Sequence, residues 1–258
     1  QALGLDAIAE ADATLIQPVS SGLAPALDAS PEPNISLIRA TDLWSLGYRG
    51  QGVVVASLDT GVDATHPDLS AQWRGGSNSW YDPNGQHSAP FDNNGHGTWT
   101  MGVMVGRGAG GTAIGVAPDA MWISAKIFDD AGVTSVSKVH QAFQWVLDPD
   151  NNPATPDFPN VVNNSWSFAT PGCDLQFQPD LQALRALNIL PVFAAGNAGP
   201  SASTDESPAN NPGAFAVGAV NNLDAIYGPS SRGPSACGQS AHTFPDVVAP
   251  GVAVNTTD

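Results

Sequence analysis

Three short motifs carry side chains able to do chemistry, and each sets its polar group beside glycine. Leu58-Asp59-Thr60-Gly61 ends an apolar run in a carboxylate, Asn94-Gly95-His96-Gly97-Thr98 holds an imidazole between two glycines, and Ala194-Ala195-Gly196-Asn197-Ala198-Gly199-Pro200 places a carboxamide just after another apolar run. Flanking glycines let backbone pack closely and leave one imidazole face open, as a proton shuttle requires. A carboxylate within reach would hold that imidazole in one tautomer, and an amide NH₂ aimed into the same crevice would stabilise charge developing on a carbonyl oxygen. Taken singly, each motif has an ordinary explanation: Asp and Gly are common turn residues, a lone loop histidine is usually a bystander, and AAGNAGP also suits a tight turn. Together they are specific. His66, His87, His140 and His242 lack such a setting and are read as bystanders.

The elements that must position these groups are legible as short apolar runs. Buried strands are expected at VVVASL (Val53 to Leu58), MWISAKI (Met121 to Ile127), NVVNNS (Asn160 to Ser165), ILPVFAA (Ile189 to Ala195) and AFAVGAV (Ala214 to Val220). Between them, Val136, Val139, Phe143, Val146 and Leu147 mark one helical stripe and Leu181, Leu184 and Leu187 another, while the small apolar run Trp99 to Gly106 reads as a buried helix. Strands alternating with helices predict an α/β fold of three layers, a mostly parallel central sheet with helices on both faces, whose strand C-termini open onto a crevice. Residues 1–35 are Ala/Pro/Ser-rich without sustained period and read as a linker or the tail of something removed, leaving a domain over 36–258.

Composition removes several function classes. With 42% hydrophobic and 12% charged residues the chain is not of disordered make-up, and 27 glycines with 22 prolines argue against a helical bundle. Eight Lys+Arg against 24 Asp+Glu give a net charge of −16, which phosphate backbones would repel, so nucleic acid is excluded as a partner. No run approaches the roughly 18 to 20 apolar residues that cross a bilayer, so no membrane insertion is expected. Cys173 and Cys237 are too few for a disulfide framework and lack metal-ligand spacing, leaving one disulfide or two thiols open. Neither G-x-S-x-G nor G-x-G-x-x-G stands in the strand-to-helix context that an α/β hydrolase or a nucleotide-binding enzyme needs.

The segments VVVASLDTGVDATHPDL, NNGHGTWTMGVMVG, GVAPDA, VVNNSWS, AAGNAGP and VVAPGV resemble the subtilisin-like serine peptidases, the subtilases, and the HGTWTMG variant is most similar to the bacillopeptidase F-like secreted members. The resemblance implies an extracellular endopeptidase acting on protein or peptide substrates through an Asp-His-Ser triad. By it, Asp59 orients His96, His96 is general base and acid, and Asn197 is the oxyanion donor. Ser165, Trp166 and Ser167 form the strand that pairs with substrate backbone and, with Ala195 and Gly196, wall the first specificity pocket.

The family's nucleophile lies in a Gly-Thr-Ser motif downstream of an element matching Ala249-Pro250-Gly251. No Gly-Thr-Ser occurs here, and Ser165, Ser230 and Ser231 stand in other contexts. The serine is therefore expected beyond residue 258, residues 1–258 alone are expected to be inactive, and residues 1–35 are expected to be the tail of a cleaved prosegment plus linker. Two departures bear on detail. GRGAGGTAIGV stands where many members have a longer calcium-binding loop, so no metal or other cofactor is assigned although Asp68 matches one ligand; Ser167 stands where glycine commonly follows the Trp, which predicts a narrower pocket floor. The competing reading is a non-catalytic subtilase-fold module holding an extended peptide against residues 163–168.

Overall fold

The computed structural model describes residues 13–15, 31–168, 170–237 and 243–257. In chain order its elements are β1 (Ala13–Leu15), α1 (Pro33–Leu37), α2 (Ala40–Ser45), β2 (Val54–Asp59), β3 (Trp80–Tyr81), α3 (His96–Val105), β4 (Met121–Lys126), α4 (Val136–Leu147), β5 (Val161–Asn164), β6 (Trp166–Phe168), α5 (Gln178–Ala186), β7 (Leu190–Ala194), β8 (Phe215–Val220) and β9 (Val247–Pro250).

Side chains alternate between the two faces of a strand, and here both faces are apolar, which demands cover on each side. Ala56 and Leu58 of β2 and Ile123 and Ala125 of β4 pack with Val139, Phe143 and Val146 of α4 and Leu181 and Leu184 of α5. Val55 and Trp122, the intervening residues, pack with Met101 and Val105 of α3 on the other face. The result is a three-layer α/β fold whose seven-stranded sheet, ordered β3-β4-β2-β5-β7-β8-β9, is parallel throughout. The five strands and three helices expected from sequence are all present. β1, β3 and β9 and the short helices α1 and α2 are not expected from sequence, because strands of two or three residues, helices of five or six, and an exposed edge such as Val247 and Val248 leave no apolar period to read.

Two features of this topology place the site. From β2, third in the sheet order, the chain passes through β3 and α3 to β4 on one side, then through α4 back to β5 on the other. That reversal leaves a crevice beyond the C-terminal ends of β2 and β5, where Asp59 and Ser165 lie. Separately, β1 and β6 form an antiparallel pair in the register Ala13↔Phe168, Thr14↔Ser167, Leu15↔Trp166. Trp166 anchors β6 from beneath, wholly buried and edge-on to Phe177 and Phe193 at 5.5 and 5.8 Å.

The expected tail over residues 1–35 falls mostly outside the described residues, as does His242. At its end, α1 runs through the expected boundary: Ile35 is buried, the Glu32 amide donates to the Ala113 carbonyl at 3.1 Å, and the Glu32 carboxylate accepts from Asn255 Nδ2 at 2.8 Å. Cys173 and Cys237, left open by sequence, form a disulfide with Cα atoms 5.0 Å apart, joining the loop after β6 to the loop before β9. Because the bridge closes a loop spanning a sequence separation of 64 residues, replacing both cysteines by serine is expected to cost about 4 kcal/mol by chain entropy, or roughly 10 °C in Tm. Calorimetry of the double variant checks this, and an unchanged Tm would show that the bridge constrains nothing.

Candidate active site

Asp59 is the last residue of β2 and His96 the first of α3, so the pair forms only if the end of a strand and the start of a helix meet closely. Glycine permits the approach: a Cβ on Gly97 would run into the carbonyl oxygen of Gly61 and come within 3.2 Å of the Asp59 Cβ. With Gly97 in place, His96 Nδ1 lies 2.7 Å from Asp59 Oδ1, both side chains buried. The same Oδ1 accepts the Thr60 amide at 2.7 Å, and Thr60 Oγ1 accepts the Gly97 amide at 2.9 Å, locking the turn to the helix. A carboxylate on Nδ1 favours the imidazole tautomer with its proton there, leaving Nε2 as the basic nitrogen.

The other described histidines also meet carboxylates. His66 Nδ1 is 3.9 Å from Asp68, His87 Nε2 3.0 Å from Asp130 and His140 Nδ1 2.8 Å from Asp180. What separates His96 is position: its partner closes a strand at the crevice, whereas those three pairs tie loops or helices together.

Two residues that sequence reasoning missed hold the His96 loop. Asp92 accepts the Asn94 and Gly95 amides through Oδ1 at 3.0 and 2.9 Å, and the Thr98 amide and hydroxyl through Oδ2 at 2.9 and 2.7 Å, satisfying donors at the start of α3. Lys126, wholly buried at the end of β4, donates to the Thr60 carbonyl at 2.8 Å and Asn93 Oδ1 at 3.3 Å, with Asp130 3.4 Å away. Its signal in sequence was a single charge at the end of an otherwise apolar run. Asp130, hydrogen-bonded first by His87 and then by Lys126, titrates below the usual aspartate range.

Asn197 is exposed on the turn after β7, and with Ser165, Ala195, Gly196, Ala249 and Gly251 it lines one cavity. Gly196 has φ +108°, a left-handed conformation that glycine adopts without strain, and a Cβ there would strike Glu206 Oε2. The turn is pinned from behind. Ser231 donates its amide to the Gly196 carbonyl at 3.0 Å, and its Oγ accepts the Ala198 amide at 3.0 Å, so this serine serves as a brace. Ser230 Oγ likewise accepts the Ala219 amide at 3.0 Å.

Of the remaining expected residues, Ser165 is half-buried and accepts from Asn163 Nδ2 at 3.0 Å, and Trp166 sends its side chain into the core, leaving only its backbone at the strand edge. Ser167 donates its hydroxyl to Glu206 Oε2 at 2.7 Å. Burial pushes the Glu206 carboxyl above its usual range, with the Ser167 hydrogen bond opposing. Glu206, too, was missed, since nothing local in STDESPANN distinguishes it.

For metals, Asp68 spends its Oδ1 on the Ala109 amide, closing the short loop after α3. Among the described residues one trio, Asp148, Asp150 and Asp157, brings three carboxylate oxygens within 4.8 Å of one another. Asp148 and Asp150 there accept the Asn152 amide at 2.8 and 2.9 Å, and the Arg74 charge lies close to Asp157 and Asp150.

A family model described as "Subtilase family" matches residues 50–258. Bacillopeptidase F of Bacillus subtilis (strain 168) is 38% identical over 246 residues, an alignment covering 88% of this chain and 17% of that protein. Subtilisin E of the same organism is 34% identical over 226 residues, covering 86% of this chain and 53% of that one. Subtilisin-like protease PopC of Myxococcus xanthus (strain DK1622) is 36% identical over 195 residues, covering 68% and 39%. The chain thus spans about half the length of subtilisin E and a smaller part of bacillopeptidase F.

The Glu206 environment generates a stability prediction. A carboxyl whose folded pKa is raised binds its proton more tightly folded than unfolded, so it costs stability as pH rises above the ordinary glutamate range. Glu206→Gln should therefore raise Tm at pH 7 to 8, and the gain should vanish on acidification into that range. Thermal melts across pH check the sign; a Gln variant less stable at pH 8 than at pH 4, relative to the parent, would contradict it.

Proposed function

Because the chain belongs to the subtilase family, we propose that it forms the greater part of a secreted serine endopeptidase domain that hydrolyses peptide bonds in protein or peptide substrates, the nucleophilic serine being supplied by sequence following residue 258. The observation that carries this is the 2.7 Å contact of Asp59 Oδ1 with His96 Nδ1 at the mouth of the sheet. In this reading His96 Nε2 takes the proton of the serine hydroxyl as it attacks the carbonyl carbon, and returns it to the leaving amine. Asp59 stabilises the imidazolium formed in between. Asn197 donates a hydrogen bond to the oxyanion, a contribution of about 3 to 4 kcal/mol in enzymes of this kind. Thr257 Oγ1 donates to the Thr98 carbonyl at 2.7 Å, so residues continuing from there would set out beside the first turn of α3.

The β1–β6 pair supports the substrate and domain assignments together. An antiparallel segment hydrogen-bonded along residues 166–168 is what an extended substrate would be. That β1 comes from the N-terminal stretch favours reading residues 1–35 as the tail of a prosegment plus linker, with residues 13–15 on the strand it guards. The disulfide suits an oxidising compartment, and among the described residues no helix is long and apolar enough to cross a membrane.

The test is hydrolysis of casein and of peptide anilides by residues 1–258 and by the protein with its natural continuation. The longer protein should turn over substrate, lose activity to a serine-directed sulfonyl fluoride, and fall by about 10⁴-fold or more in kcat on His96→Ala; the shorter should be inert. Inhibitor-sensitive turnover by residues 1–258 would mean that one of their own serines is the nucleophile. A continuation that binds peptide without cleaving it would favour the non-catalytic module.

A further inference from the structure

Glu206 is a buried carboxylate that the proposed chemistry does not use. Among the described residues it enters no ion pair. Its Oε2 accepts the Ser167 hydroxyl from β6, and the absent side chain of Gly196 leaves it room on the other side. It therefore stands where the peptide-pairing strand and the Asn197 turn converge. Its neighbour Asp205 supplies no cation either: that carboxylate accepts Asn210 Nδ2 and the Ala236 amide, both at 2.6 Å, and adds negative charge to the same loop.

In the peptidase reading a peptide laid along β6 puts its reacting carbonyl at Asn197 and the side chain of that residue at the junction of β6 and Gly196, where Glu206 lies. A carboxylate withdrawn from water without a positive partner costs free energy, and a cation arriving with the ligand removes that cost. The net charge of −16 adds a long-range attraction for such a ligand. We infer that Glu206 is a specificity-determining residue that selects a lysine or arginine side chain on the acyl side of the bond to be cut. The inference rests on the peptidase reading for the bond and on the β6–Gly196 geometry for the cation. Ser167 fits the same role, since its hydroxyl fixes one carboxylate oxygen and leaves Oε1 for the incoming charge.

The experiment uses the protein with its natural continuation, as parent and as Glu206→Gln. It has two readouts: kcat/KM for succinyl-Ala-Ala-Pro-Arg and succinyl-Ala-Ala-Pro-Phe p-nitroanilides, and fluorescence titration with p-aminobenzamidine, a cation that needs no cleavage. The parent should favour the Arg substrate and bind the amidine. Glu206→Gln should lower the Arg/Phe ratio by about 10- to 100-fold, as for loss of a charged hydrogen bond, and weaken amidine binding comparably. Because removing this charge should stabilise the fold at neutral pH, such losses would not be unfolding. Cleavage with an Arg/Phe ratio that Glu206→Gln leaves unchanged overturns the inference and leaves the peptidase reading standing. No cleavage of either substrate overturns the peptidase reading instead, and the titration then decides: amidine binding lost in Glu206→Gln supports the cation site, and no binding by the parent overturns it.

Discussion

The site depends on how closely the end of β2 can approach the start of α3. A strand and a helix ordinarily keep about 10 Å between axes because side chains intervene. Here Gly97 rests on the Gly61 carbonyl with no Cβ between, which lets a buried carboxylate and imidazole share a 2.7 Å hydrogen bond. The surrounding polar network serves that contact. Thr60 binds the Gly97 amide, Lys126 binds the Thr60 carbonyl, and Asp92 satisfies the first amides of the helix. Each of these groups would be costly to bury alone, and each has a hydrogen-bond partner here.

The same logic organises the second half of the crevice. Gly196 gives the Asn197 turn its left-handed conformation, Ser231 pins it from the β8–β9 side, and Glu206 lies against it from the loop before β8. β6 is held to this turn through Ser167 and Glu206, and to the core through Trp166. β6 and the Asn197 turn are thus one mechanical unit, and the Cys173–Cys237 bridge joins the loop after β6 to the loop before β9.

What could be read from the sequence follows from what is local. β2, β4, β5, β7 and β8 declare themselves because strands covered on both faces are continuous apolar runs, and α4 and α5 because one face is buried and the other wet. The motifs around Asp59, His96 and Asn197 stand out in the sequence because each sets a polar side chain beside glycine. Asp92 has a local signal too, an acidic side chain just ahead of a helix start, since its partners Asn94, Gly95 and Thr98 follow directly. Lys126 and Glu206 differ, because their partners lie on other elements and nothing next to them in the chain requires them. The disulfide was open for the same reason: pairing depends on two loops meeting. Trp166 shows the converse, a residue assigned to the binding strand whose side chain is wholly committed to the core.

The account stands on Asp59 holding the proton of His96 on Nδ1. Nitrogen-15 histidine labelling with long-range proton–nitrogen correlation spectra at neutral pH reads that tautomer directly, with Asp59→Asn as the comparison. The account predicts an Nδ1-protonated, Nε2-basic His96 in the parent, and loss of that preference when the carboxylate becomes an amide. A parent His96 protonated on Nε2, or a tautomer indifferent to Asp59→Asn, would contradict it.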